Sequence, residues 1–161
     1  MIVDYDELPE NSKVWIYPSS RKFYDTEIEG LHQKVSSFLE KWKEGAASFQ
    51  ASYKLLYNRF IVFFASNGNE LLLPSDIDTL VLFIFQLQEE YSVELLDKMN
   101  VCFKQGVYVQ YKDLKDFKKL IKNRAVTGKT VVFDNLVTTK EEFENYWEVP
   151  ITESWYQRFL K

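Results

Sequence analysis

SDIDTLVLFIFQLQEEY, residues Ser75 to Tyr91, is the most apolar run of the chain, and its reading decides the fold. As a helix it opens with Ser75 as N-cap and Asp78 three residues on, the spacing of a capping box. Asp76 and Asp78 then place negative charge beside the free amides of the first turn. Ile77, Leu80, Val81, Ile84, Leu87 and Tyr91 follow helical spacing, and Leu82, Phe83 and Phe85 fill the other side, so most of the circumference is expected to contact protein. Leu80 to Phe85 also has strand composition. The capped start and the polar continuation Gln86 to Glu90 favour helix.

Outward from this element, the chain alternates strands and helices irregularly. Val14 to Tyr17 is a short strand stopped by Pro18. Thr26 with Glu29 caps a helix whose stripe is Ile28, Leu31, Val35, Phe38, Leu39 and Trp42, with Gly45 as its stop. Phe49 to Leu56 and Arg59 to Ala65 are antiparallel strands closed by Asn67-Gly68. Beyond the central helix, Val101 to Lys104 and Val107 to Tyr111 flank Gln105-Gly106 as a hairpin. Asp113 to Arg124 is a helix with lysines outward, Thr130 to Phe133 a strand, and Thr139 with Glu142 caps a last helix through Trp147, ended by Pro150. The order β-α-β-β-α-β-β-α-β-α has no repeat or linker. It predicts one α+β domain over residues 1–161, a mixed or antiparallel sheet covered by helices, with a first half ferredoxin-like in pattern. Residues 148–161 form an aromatic tail that either packs back or binds a partner.

Composition narrows the function. A formal charge of −4 sets the whole-molecule field against a phosphate backbone and argues against a nucleic-acid partner. One cysteine, Cys102, precludes an internal disulfide and a cysteine-based metal site, which suits a reducing compartment. No apolar run approaches a bilayer span, and Met1 to Lys13 lacks the pattern of a signal peptide, so a cytoplasmic location is expected.

Motifs that carry chemistry are sparse. Gly128-Lys129-Thr130 looks like the end of a phosphate-binding loop, but Asn123 stands where the first glycine belongs, and helix and strand come in the wrong order. Asp78 and Asp134 are the candidate metal ligands, on the premise that both gather at one end of the sheet with Asp76. Ser19, Ser20 and Arg21, with Lys104, are the candidate anion ligands: two hydroxyls and two cations near a helix start. Lys115, Lys118, Lys119 and Lys122 form a basic helix face, and Trp155, Tyr156 and Phe159 are candidate partner anchors. His32 faces a helix boundary without a second histidine, and Cys102 reads as a buried, inert thiol.

Several phrases taken together are specific: Val14-Trp15-Ile16-Tyr17 with Ser20-Arg21-Lys22-Phe23, Tyr57-Asn58-Arg59-Phe60-Ile61-Val62, Asp97-Lys98-Met99-Asn100-Val101, Phe103-Lys104-Gln105-Gly106, Val132-Phe133-Asp134-Asn135-Leu136-Val137, Trp147-Glu148-Val149-Pro150 and Ser154-Trp155. Over nearly the whole chain they resemble a group of small bacterial proteins that often carry the label "ABC transporter ATPase". Members of that group have Gly-Cys-Ser-Ile-Asp at the start of the central helix, where this chain has Pro74-Ser75-Asp76-Ile77-Asp78. The resemblance implies a cytoplasmic bacterial protein, and it carries over no catalytic residue. The chain lacks the P-loop and signature loop that a transport ATPase needs.

Two functional expectations follow. The first is a non-catalytic interaction or accessory protein with a protein partner. The alternative is a binder of a small phosphate or nucleotide ligand, or a metal-dependent enzyme, working through Arg21, Lys104, Asp78 and Asp134. No cofactor is named by the residues.

Overall fold

In the computed structural model, residues 2–97 and 99–160 are described; Lys98 of the Asp97 to Val101 phrase and Lys161 of the tail lie outside them. The elements run β1 (Lys13–Pro18), α1 (Asp25–Lys41), β2 (Gln50–Leu56), β3 (Phe60–Ser66), α2 (Pro74–Tyr91), β4 (Val101–Gln105), β5 (Tyr108–Lys112), α3 (Leu114–Lys122), β6 (Val131–Phe133), α4 (Lys140–Tyr146) and β7 (Glu148–Pro150). Short 3₁₀ turns cover Tyr5–Glu7, Ile151–Glu153 and Trp155–Phe159. The architecture is α+β, with antiparallel strand ladders throughout.

The strands form two sheets rather than one: β1-β3-β2 and β5-β4-β6-β7. The reason lies in β3, which is buried on both faces. Because side chains alternate along a strand, Ile61, Phe63 and Ala65 point to one side and Phe60, Val62 and Phe64 to the other. The first set packs under Leu31, Val35 and Leu39 of α1 and Leu80, Ile84 and Leu87 of α2. The second set packs against Cys102 of β4, Phe133 of β6 and Phe143 and Trp147 at α4. A third core on the far side of the second sheet joins Val101, Phe103 and Val132 to Phe117 of α3 and to Ile151 and Tyr156 of the tail. Four layers result: helices, sheet, sheet, then α3 with the tail. β1 and β2 run parallel with β3 between them, so the first half forms a split βαβ.

The starts of α1 and α2 are set by acids at the third position instead of by the expected hydroxyl caps. Glu27 Oε1 accepts the Tyr24 amide at 2.8 Å, and Asp76 Oδ2 accepts the Leu73 amide at 2.9 Å. The starts therefore fall before Thr26 and Ser75, and Pro74 occupies the first turn of α2, where its missing N–H costs nothing. Thr139 caps α4 as expected, its hydroxyl accepting the Glu142 amide at 3.2 Å. Tyr57 and Asn58 both have positive φ, 56° and 51°, the geometry of a two-residue type I′ turn between β2 and β3. β7 was hidden from sequence reading by its brevity and by Pro150.

Candidate functional site

The expectation that α2 contacts protein around most of its circumference is corrected by the structure. Leu80, Ile84 and Leu87 face the sheet, while Val81, Leu82 and Phe85 are 37%, 64% and 48% exposed on the opposite side. At 3.6 residues per turn these three form one outward patch. Leu71 and Leu73, in the approach to the helix, are also exposed.

Acids and lysines both border this patch, with Lys34 and Lys41 in the groove beside it and the acids along α2. Asp76 pairs with Lys43 at 3.0 Å and Glu90 with Lys34 at 2.8 Å. Asp78 and Glu89 flank Leu82 and Phe85 on the helix surface, both exposed and with no ion pair among the described residues. Beside the patch, a groove of about 570 Å³ runs between α1 and α2, floored by Phe38 and Phe83 stacked at 4.2 Å with rings nearly parallel. The patch thus has an apolar centre with Asp78 and Glu89 at its ends on α2, beside an aromatic-floored groove that also carries Lys34 and Lys41.

The candidate anion ligands are engaged within the fold. Ser19 is fully buried and its hydroxyl accepts the Arg21 amide, and the Ser20 hydroxyl accepts the Glu94 amide at 2.9 Å. Arg21 grips Glu27 with both terminal nitrogens, at 2.9 and 3.1 Å, and donates to the Tyr91 carbonyl at 2.8 Å. This fork holds the Glu27 carboxyl below the usual carboxylate range. Lys104 belongs to a separate cluster, donating to Glu148 at 2.7 Å beneath the Tyr57 ring, while the Tyr57 hydroxyl donates to the same carboxylate.

Asp78 and Asp134 sit in different layers. Asp78 is exposed on α2 outside the first sheet; Asp134 ends β6 in the second, accepting the Leu136 and Trp155 amides. Among the described residues no group of three or more His, Cys, Asp or Glu side chains converges as a metal site. His32 is exposed and bonds the Tyr53 hydroxyl at 2.9 Å.

Gly128-Lys129-Thr130 makes a turn into β6, with the Thr130 hydroxyl accepting the Thr127 amide at 3.0 Å. A Cβ at Gly128 would lie 2.8 Å from Thr152 Cγ2, so the glycine permits close approach of the tail. In the tail, Tyr156 is buried and Trp155 and Phe159 pack beside it. Of the α3 lysines, Lys118 lies over the Phe159 ring at 4.5 Å and Lys119 faces Asp116 at 4.0 Å, while Lys115 and Lys122 point from the outer face of the same helix. Tyr156 is thus turned inward and Trp155 and Phe159 are half-buried, whereas Val81, Leu82 and Phe85 of α2 are exposed. Among the described residues no helix is long and apolar enough to cross a membrane.

In comparisons with protein-family models, curated proteins and solved structures, nothing matches this chain.

Proposed function

We propose that the protein is a non-catalytic accessory protein that docks a protein partner on the outward face of α2. The observation that carries this reading is the contiguous exposure of Val81, Leu82 and Phe85 on a helix whose inner face is fully committed to the core. Water-exposed apolar surface of this kind is costly unless a partner covers it.

The fringe of the patch indicates what covers it. A second copy docked through antiparallel α2 helices, centred between Leu82 and Phe85, would set Asp78 of one molecule against Glu89 of the other. Parallel packing would oppose each acid with itself. Like charges in these positions disfavour self-association, whereas an apolar helix or ridge bearing lysine or arginine gains at both ends.

The test is a photo-crosslinking residue placed at position 82 in the full chain, expressed in its host cell, with the protein's mass in solution measured in parallel. A discrete heterologous crosslink is expected, lost on Phe85→Lys and weakened by Asp78→Lys with Glu89→Lys. A crosslink only to a second copy, or one indifferent to all three substitutions, overturns the reading.

A further inference from the structure

A second feature lies on a different part of the molecule, where the β2–β3 turn meets the outer edge of β5. A cleft of about 410 Å³ there is lined by Lys22, Tyr57, Asn58, Arg59, Tyr108 and Gln110, together with the valines of the β4–β5 hairpin. Its lining contains two cations and no carboxylate. The other two cations nearby are already neutralised, Arg21 by Glu27 and Lys104 by Glu148. Of the acids that touch lining residues, Glu148 accepts from the Tyr57 hydroxyl and is paired with Lys104, and Asp25 meets the Asn58 amide at 3.5 Å.

Arg59 is the centre of this imbalance. It is half-buried, donates from one terminal nitrogen to the Ser19 carbonyl at 2.9 Å, and lies 6.0 Å from the Tyr111 ring centroid. Among the described residues it has no ion pair. Burial pulls its guanidinium below the ordinary arginine value, and no carboxylate acts against that pull. A guanidinium carries five donors in a planar fork, so a half-buried one with a single carbonyl partner retains capacity for an oxyanion.

The turn that presents it is built under constraint. Tyr57 holds φ of 56°, a conformation that bulky residues rarely adopt, and its ring is fixed by contacts with Phe60, Phe133 and Trp147. The cost of that backbone places an aromatic wall at one side of the cleft, and Tyr108, 70% exposed, stands in the lining as another. Asn58 and Gln110 add side-chain amides to the lining.

We propose that this cleft binds a small ligand with an oxyanion, phosphate or carboxylate, on an aromatic ring, the oxyanion held by Arg59 and Lys22 and the ring by Tyr57 and Tyr108. The cavity volume falls within the range of small-molecule sites, roughly 300–1,000 Å³.

The test is a titration of the full chain with phenyl phosphate, benzoate and inorganic phosphate, followed by amide NMR shifts of Asn58, Arg59 and Gln110. Saturable binding of phenyl phosphate or benzoate below about 10 mM is expected, at least about fivefold tighter than inorganic phosphate. Arg59→Gln is expected to weaken it about tenfold or more, and the exposed Lys22→Ala about threefold. Should Arg59→Gln fail to fold, Arg59→Lys, which keeps the charge and loses the fork, replaces it. The relative affinities of benzoate and phenyl phosphate identify the oxyanion. No saturable shift, equal affinity for inorganic phosphate and the aromatic ligands, or binding unchanged in these variants overturns the proposal. None of these substitutions touches α2, so the outcome is independent of the docking test.

Discussion

Cys102 sits on β4 with its thiol turned into the core shared by the two sheets, beside Phe133. Burial pushes the thiol up to about 12, so it stays protonated where a free cysteine ionises. Native protein is expected to resist iodoacetamide at pH 8 and to react only on unfolding, measured by mass after timed quenching. The same shift has a sign for stability: the unfolded thiol releases its proton near the ordinary value while the folded one retains it. Stability should therefore decline as pH rises above about 9, reinforced by the raised phenols of Tyr17 and Tyr156. Lys140 is the opposite case, a cation 3% exposed. Its ammonium donates to the carbonyls of Tyr5 at 3.0 Å and Leu8 at 2.7 Å and lies over the Tyr5 ring at 4.4 Å. Lys140→Met keeps the stem but strips the Leu8 carbonyl of that donor, and is expected to cost about 1–3 kcal/mol in urea unfolding.

At the level of elements, β3 and α2 make opposite demands on the same kind of residue. Phe63→Ala and Phe64→Ala remove buried rings from opposite faces of β3, each costing about 3–5 kcal/mol. Leu82→Ala on α2 should stay within about 0.5 kcal/mol of the parent, because the residue is 64% exposed. Denaturation midpoints of the three variants decide the matter. This contrast also marks how far the sequence could be read. Strand and helix positions were legible from periodicity and turn residues, and the Thr139–Glu142 cap was legible as such. The exposed side of α2 was not, since an apolar residue facing outward has the same identity as one facing the core. Two sheets instead of one follow from β3 being apolar on consecutive residues, a pattern that composition alone leaves open between a buried strand and a helix segment. Arg59 was invisible as a candidate because lacking an acidic partner is a property of three-dimensional neighbours. The Ser19–Arg21 loop looked available in part for the converse reason: the Glu94 amide that occupies Ser20 comes from elsewhere in the fold, although Glu27, which holds Arg21, lies only six residues on.

On the scale of the whole molecule, the third core depends on residues after β7. Ile151 is fully buried and Tyr156 nearly so, against Val101, Phe103, Phe117 and Val132. Deleting residues 151–161 uncovers one face of the second sheet, and is expected to abolish the cooperative thermal transition and the near-ultraviolet dichroism of the packed aromatics. A truncated chain that melts like the parent would show the tail to be an appendage. The two-sided burial of β3 has a further consequence, for the order of synthesis. Phe64 is made 83 residues before Trp147, which covers the same side of the first sheet. At ribosomal speeds of about 5–20 residues per second, that interval is several seconds. Early in it, once α2 is complete, the helices can close over one face of β3, while β4 and β6, which meet Phe60, Val62 and Phe64 on the other face, are still to be made. The nascent chain therefore passes through a half-covered stage with a bare aromatic strand, and it is then that the cell's holding chaperones have most to grip.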